Sequence, residues 1–296
     1  MRLPCDWRLL WSVPVLLMLV WLERQWPVIA WVCMIVLTLS VGFAHGAMDI
    51  FLLRNTQGRL SLGDCLIYAA AVVCLAVLLM AWPSVALIVL ILLSLWHFGE
   101  QAYHEHSPKP EAWLLRGVQG GSSVMLPVLL SPDALLLWVK SIAGTDASWV
   151  WPLWVGMAGL WAALLMVACV LIKPWRADAI KTLWIELLVL ILLNLVLSPL
   201  LAFALFFGVY HSGMHIWRMR QMQRREGKIW KDGHLVLTLT VTLLALAGLA
   251  WWMSNQAFAV SDAGQWLRVL VVALAAVTLP HLVLVTRWRQ RLFASP

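Results

Sequence analysis

The sequence predicts an all-α integral membrane protein, a polytopic bundle of about 8–10 transmembrane helices. Hydrophobic residues make up 63% of the 296 residues, charged residues only 12%, and the mean hydropathy is +0.88. A membrane helix needs roughly 20 mostly apolar residues, and such stretches follow one another along the chain. These values exclude a soluble globular protein. We therefore expect residues 1–296 to form a single domain embedded in the lipid bilayer.

Ten apolar stretches are the candidate spans. The first lacks an A-x-A-like cleavage site, which predicts an uncleaved span rather than a signal peptide. Proline follows directly on residues 82 and 198, as is typical of tight turns between antiparallel helices. Pro127 and Pro132 predict a kink or a split in the fifth stretch. The stretches cover residues 8–22, 26–44, 64–81, 84–103, 113–139, 148–172, 178–197, 199–219, 234–253 and 264–286.

The distribution of basic residues predicts the orientation. If the N-terminus is cytoplasmic, the inner loops and helix ends hold all but three of the 21 basic residues, the exceptions being Arg24, Lys140 and Arg268. The positive-inside rule then predicts a multi-pass protein of the cell (inner) membrane with both termini in the cytoplasm. Residues 218–233, which are rich in arginine, are interpreted as a cytoplasmic loop near anionic lipid. No nucleic-acid partner is expected.

Histidines in apolar stretches are the most informative feature of the chain, because a polar imidazole is costly in a membrane. They are His45 in AHGAMD, His97 in LWHFGEQ, and His211 and His215 in YHSGMH. The predicted topology places these four, together with His281, toward the cytoplasmic ends of their helices. His211 and His215 are four positions apart, so they face one side of a helix and can chelate one ion. The pattern predicts a shared metal site.

Acidic residues accompany these histidines at helical spacing. Asp49 follows His45 by four positions, Glu100 follows His97 by three, and His104 follows His97 by seven. A metal-bound imidazole usually donates its other N–H to a carboxylate or a carbonyl, which suits Asp49 and Glu100. The same carboxylates can also bind a metal directly, and spacing alone is consistent with both roles.

The donor set narrows the metal chemistry without fixing it. An all-imidazole site suits Fe, Cu, Zn or Ni. Eight histidines with no adjacent pair disfavour a two-iron site of the membrane desaturase kind. A haem bound by two histidines stays an open alternative for the site. A zinc-dependent membrane lipid hydrolase stays an open alternative for the function. So does a polytopic transporter or channel whose histidines relay protons or bind a transported metal.

Three motifs resemble a known family in their order and separations. HGAMD at 45–49, WHFGEQ at 96–101 and YHSGMH at 210–215 resemble the Brp/Blh (bacteriorhodopsin-related-protein-like) family of β-carotene 15,15'-dioxygenases. The resemblance extends over about residues 40–285 and includes the TLPH sequence at 278–281. It implies a membrane-embedded oxidoreductase that cleaves a carotenoid.

The resemblance also implies a cofactor, substrates and site residues. One Fe(II) would be bound by His45, His97, His211 and His215. O2 would cleave the central 15,15' double bond of β-carotene into two molecules of all-trans-retinal. Retinal is the chromophore of microbial rhodopsins, which implies a functional link to a retinal-binding rhodopsin. Residues expected to support the site are Asp49, Glu100, His104, Tyr210 and His281.

A long apolar polyene dissolves in the bilayer, so a membrane-embedded site can receive it laterally. Its binding requires an aromatic and aliphatic tunnel, with polar groups confined to the metal end. Aromatic residues that flank the histidines are candidates for the tunnel wall, although each is equally consistent with ordinary helix packing. They are Trp96, Phe98, Phe206, Phe207 and Trp217.

Overall fold

The protein is described here by a computed structural model in which every regular element of the described residues is helical. These residues are 17–26, 28, 32, 36–38, 46, 49, 62–102, 110–171, 178–217, 220, 236, 240, 244 and 263–294. The main helices are α1 (Leu62–Ala81), α2 (Pro83–Ala102), α3 (Pro110–Leu130), α4 (Pro132–Ala143), α5 (Ala147–Leu171), α6 (Asp178–Val196), α7 (Pro199–Trp217) and α8 (Ala263–Ala294).

Four of the described helices are long and apolar enough to cross a membrane. They are α1, and the segments Ala147–Val170, Pro199–Trp217 and Gly264–Arg287, with mean hydropathies between 1.3 and 2.4. The bent pair α3–α4 makes a fifth if it is counted as one span, and α2 and α6 contain shorter apolar segments. The prediction of an all-α polytopic membrane protein is confirmed. The predicted stretches 26–44 and 234–253 lie largely outside the described residues.

Proline residues begin new helices where the sequence predicts breaks. Pro83, Pro132 and Pro199 each occupy the first position of a helix, where the missing N–H costs nothing. The fifth predicted stretch is split at Ser131, and α3 and α4 meet there at 104°. Pro127, by contrast, lies inside α3. Of the two prolines expected to kink or split this stretch, Pro132 therefore lies at the break and Pro127 does not.

Small residues allow α2 and α3 to approach closely. A Cβ atom added to Gly120 would meet the carbonyl oxygen of Leu95, and one added to Gly99 would meet the carbonyl oxygen of Arg116. Since both obstacles are backbone atoms, neither can move aside cheaply. Close approach of this kind is how helices associate inside a bilayer, where lipid removes most of the hydrophobic driving force.

The main core lies between α2, α3, α4, α5 and α8. Its members with no exposed surface are alanine or valine, including Ala86, Val139, Val150 and Ala276. A second cluster of Phe98, Phe207 and Leu274 joins α2, α7 and α8 close to the histidines. The α1 helix contributes few buried side chains, which suits a helix that faces lipid.

Candidate metal centre

Three helices bring buried histidines together. His97 lies near the end of α2, His211 and His215 lie in α7, and His281 lies in α8. Each of the four residues is at most 4% exposed. Since burying an imidazole is costly without a partner, four of them at one place require a common reason.

His97 and His211 form the tightest pair of the cluster. Their Nε2 atoms lie 3.0 Å apart, and their ring centroids are separated by 4.8 Å. Two imidazole nitrogens that bind one ion at about 2.0–2.1 Å, with an angle near 90° between the bonds, lie about 3 Å from each other. The separation therefore suits two ligands of a single ion. It equally suits a hydrogen bond between a neutral donor and a neutral acceptor.

His281 lies between two other histidines. Its ring centroid is 5.1 Å from that of His97 and 5.4 Å from that of His215. The rings thus follow one another in the order His211, His97, His281, His215. Sequence reasoning placed His281 among the supporting residues, whereas the structure places its ring inside the cluster.

A buried carboxylate orients His281. Its Nδ1 atom lies 2.7 Å from Oδ1 of Asp49, and the hydroxyl of Tyr68 donates to Oδ2 of the same carboxylate over 2.7 Å. Asp49 is only 2% exposed. An imidazole whose Nδ1–H is held by a carboxylate has Nε2 as its metal-binding atom. Asp49 was expected to support His45 through their spacing of four, and the structure shows it bound to His281.

Tyr68 is the residue that sequence reasoning missed. It lies in α1, far along the chain from every histidine motif, and reaches the site only through Asp49. The available signal was composition, because the chain has only 3 tyrosines and this one interrupts an apolar span. A phenol inside a membrane requires a hydrogen-bond partner.

A π-helical segment positions His211. Residues Leu205–Ser212 follow π rather than α geometry, and the hydroxyl of Ser212 donates to the carbonyl oxygen of Phe207 over 2.6 Å. The wider turn shifts the phase of α7 between its start and His211. Such segments occur in membrane and soluble helices mostly as short interruptions, frequently at functional sites.

Aromatic rings enclose His211. The ring of Phe98 meets it edge-on at 4.5 Å, and the ring of Phe207 stacks on it at 5.7 Å with an interplanar angle of 15°. Phe206 packs edge-on against Phe98 at 5.2 Å. These contacts restrict the imidazole to one orientation and keep water from the cluster.

A small, mostly apolar cavity adjoins the histidines. His97, His281, Phe98 and Phe207 line it, and so does Gly46, the residue that follows His45 in the chain. Two of the five aromatic residues expected in a tunnel wall, Phe98 and Phe207, therefore line this cavity.

The remaining expected site residues lie elsewhere or outside the described residues. Trp96 and Trp217 are 53% and 40% exposed, so they face away from the cavity. Tyr210 donates its hydroxyl to Glu186 on α6. Glu100 belongs to the last turn of α2. His45 and His104 lie outside the described residues.

The described residues supply part of the ligand set that a metal ion needs. Among the described residues, no group of three or more histidine, cysteine, aspartate or glutamate side chains has the geometry to hold a metal. The pair His97–His211 has the required separation, and its donors are neutral imidazoles suited to iron, copper or zinc. The candidates for a third ligand are His215 and His281, together with His45, which lies outside the described residues.

Comparison with known proteins identifies the family. Residues 36–289 match the family described as Beta-carotene 15,15'-dioxygenase. The chain belongs to this family. The match includes every histidine of the cluster, the Asp49–Tyr68 pair and the three phenylalanines that line the cavity.

Two curated members of the β-carotene 15,15'-dioxygenase family are similar along much of their length. The Beta-carotene 15,15'-dioxygenase of an uncultured marine bacterium, 66A03, is 25% identical over 262 residues, which cover 86% of this chain and 92% of that protein. The Probable beta-carotene 15,15'-dioxygenase Blh of Halobacterium salinarum is 25% identical over 218 residues, or 66% of this chain and 60% of that protein. No solved structure matches the chain significantly.

Proposed function

We propose that this chain cleaves β-carotene with O2 at the central 15,15' double bond and releases two molecules of all-trans-retinal. The observation that supports this most directly is a buried cluster of histidines that opens into a mostly apolar cavity within a membrane bundle. Membership of the β-carotene 15,15'-dioxygenase family supplies the reaction class. The apolar cavity suits a hydrocarbon substrate that arrives from the bilayer.

A single Fe(II) is proposed as the cofactor, bound by His45, His97, His211 and His215, with His281 beside them. Iron supplies the activation of dioxygen when bound. The chain's own contribution is to hold neutral imidazoles in place, through Asp49 on His281 and through the aromatic rings around His211. The hydrogen bond between Asp49 and Nδ1 leaves Nε2 of His281 to face the centre.

The choice of double bond is proposed to be steric. Phe98 and Phe207 line the cavity beside His97, so a polyene in this cavity passes the histidines at a fixed depth. The bond that lies nearest to His97 is then selected by how far the substrate enters. Retinal released into the bilayer is available to a retinal-binding rhodopsin of the same cell.

Two other functions make different predictions. A zinc-dependent membrane lipid hydrolase would contain zinc and would not consume O2. A transporter would show histidines near the bilayer midplane and an internal repeat, and the predicted topology instead places them toward one face of the membrane. Both alternatives lack support from the family match, which extends over residues 36–289.

The activity is tested by expressing the chain in bacteria that accumulate β-carotene. We expect loss of the orange colour and the appearance of retinal in lipid extracts, with about one iron per purified chain. The matched control is His97→Ala, which we expect to be inserted in the membrane and inactive. Zinc instead of iron, together with unchanged β-carotene, would contradict the proposal.

A further inference from the structure

A second cavity, the inner chamber, extends from the histidine cavity into the bundle. It is the larger of the two and lies between α2, α3, α4, α5, α7 and α8. The two cavities share four lining residues, which are Leu90, Ser94, Phe203 and Leu274. Since both are lined by these side chains, the chamber lies directly beside the histidine cavity.

The inner chamber extends well away from the histidines. Leu87, which lines its far part on α2, precedes His97 by ten positions, or about 15 Å along the helix axis. Leu267 on α8 likewise precedes His281 by 14 positions. This depth is of the order of one half of a carotenoid measured from its central double bond. The end ring of a substrate cleaved beside His97 therefore falls within the chamber.

Serine and tryptophan side chains interrupt the apolar lining, and two of them, Ser123 and Trp154, are buried. Ser123 on α3 and Trp154 on α5 both line the chamber and are 5% and 9% exposed. Within the part of the chain that the structure describes, neither Oγ of Ser123 nor Nε1 of Trp154 has a hydrogen-bond partner. A buried polar atom without a partner is destabilising, so such groups in a cavity indicate a ligand with a complementary polar atom.

Their neighbours show that this arrangement is specific to the chamber. The adjacent Ser122, equally buried, donates its hydroxyl to the carbonyl oxygen of Val118 over 2.8 Å. Trp161, two helical turns after Trp154 on α5, donates its indole N–H to the same carbonyl oxygen over 2.8 Å. Neither Ser122 nor Trp161 lines the chamber. The buried serine and the buried tryptophan that line it, Ser123 and Trp154, are the ones without partners among the described residues.

We propose that the inner chamber binds one end ring of the carotenoid and recognises an oxygen substituent on that ring. This inference rests on the proposed carotenoid cleavage. The indole N–H of Trp154 can only donate, and the hydroxyl of Ser123 can donate or accept, so the pair matches a ring hydroxyl or ketone. An unsubstituted ring would leave both groups unpaired. A ring with a single oxygen substituent satisfies them.

The reaction itself is unchanged by this preference. The central C=C bond breaks, one O2 is consumed, and two aldehydes form. A β-carotene that carries a hydroxyl group on one ring then yields one retinal and one ring-hydroxylated retinal. The hydroxylated half is the one held in the chamber, and the other half lies on the far side of the histidines.

The test compares β-carotene with its derivative that is hydroxylated on one ring. We expect the ratio of kcat/KM for the hydroxylated substrate to that for β-carotene to fall about 3- to 10-fold in Ser123→Ala and in Trp154→Phe. The change should lie mainly in KM. The matched controls, Ser122→Ala and Trp161→Phe, should keep the wild-type ratio. Binding of both carotenoids without O2, followed by quenching of tryptophan fluorescence, should show the same change in the ratio of Kd values.

Each outcome decides the inference. An unchanged ratio in Ser123→Ala and Trp154→Phe, or an equal change in the two controls, would overturn it. So would a wild-type protein that cleaves β-carotene but not the hydroxylated derivative. If wild type cleaves neither, the proposed activity fails, and the ratio of Kd values without O2 still decides whether the chamber recognises the oxygen.

Discussion

The Nδ1 atom of His281 lies 2.7 Å from Oδ1 of Asp49, although 232 positions separate the two residues in the chain. The contact links a carboxylate near the first histidine motif to an imidazole in the last described helix. Tyr68 holds the other carboxylate oxygen. Asp49 is held by hydrogen bonds to His281 and Tyr68, and it in turn fixes the ring of His281. That ring lies between the rings of His97 and His215.

Asp49→Asn tests the role of this carboxylate. The amide can still accept a hydrogen bond from His281 but removes the negative charge, so we expect metal affinity to fall by roughly 10- to 100-fold. Iron per chain, measured during titration with a chelator, reports the change. Asp64→Asn, in the first turn of α1, is the matched control and should keep the wild-type affinity. Equal affinities in both variants would contradict a role for Asp49.

Replacement of single histidines tests the cluster itself. His97→Ala and His211→Ala each remove one member of the pair at 3.0 Å, and we expect both variants to lose most of their iron. We expect His281→Ala to lower the iron content as well, because its ring lies between two others of the cluster. His234→Ala, at a predicted loop edge, should retain full iron. Full iron in His97→Ala and His211→Ala would place the metal elsewhere.

A bulky residue at the junction of the two cavities tests the substrate path. Leu90 lines both cavities, so Leu90→Trp should close the passage between them while the histidines stay in place. We expect cleavage of β-carotene to fall at least tenfold with iron content unchanged. Leu92→Trp on the same helix is the control, because Leu92 is 51% exposed on the outer face. If Leu90→Trp cleaves as well as Leu92→Trp, the substrate does not enter the chamber.

Gly120→Ala tests the close approach of α2 and α3. The added methyl group meets the backbone of Leu95, so the helices must separate, at a cost of about 1–3 kcal/mol. Lower thermal stability in detergent, seen as earlier aggregation on heating, is the expected result. Gly156→Ala introduces the same methyl group on α5, where no atom lies within 4 Å of it, and should leave stability nearly unchanged. Equal thermal stability of the two variants would show that the close contact of α2 with α3 does not determine the stability of the protein.

The orientation in the membrane is tested with a reporter fused after Pro296. A reporter that is active only in the periplasm should stay silent, because the distribution of basic residues places both termini in the cytoplasm. A cytoplasmic reporter at the same position should be active. Periplasmic activity would contradict the predicted topology and the common depth of the histidines.

Much of the fold followed from local features of the sequence. Apolar stretches of helical length predicted the helices, and proline predicted the turn before α2, the break before α4 and the start of α7. These features are readable because hydrophobic length and the missing N–H of proline act within a few residues. The three histidine motifs likewise identified the family, since their residues and separations are properties of the chain.

The sequence by itself determined that these histidines lie in apolar membrane helices, and only the tertiary structure decided which groups meet. Helical spacing assigned Asp49 to His45, whereas packing of α8 brings His281 to it. The π-helical segment before His211 changes the phase that spacing assumes. Ser122 and Ser123 are adjacent and alike in sequence, but only Ser123 lines the inner chamber. Pairings between helices depend on their rotation and closeness of approach, which are set by the whole core at once rather than by any local pattern.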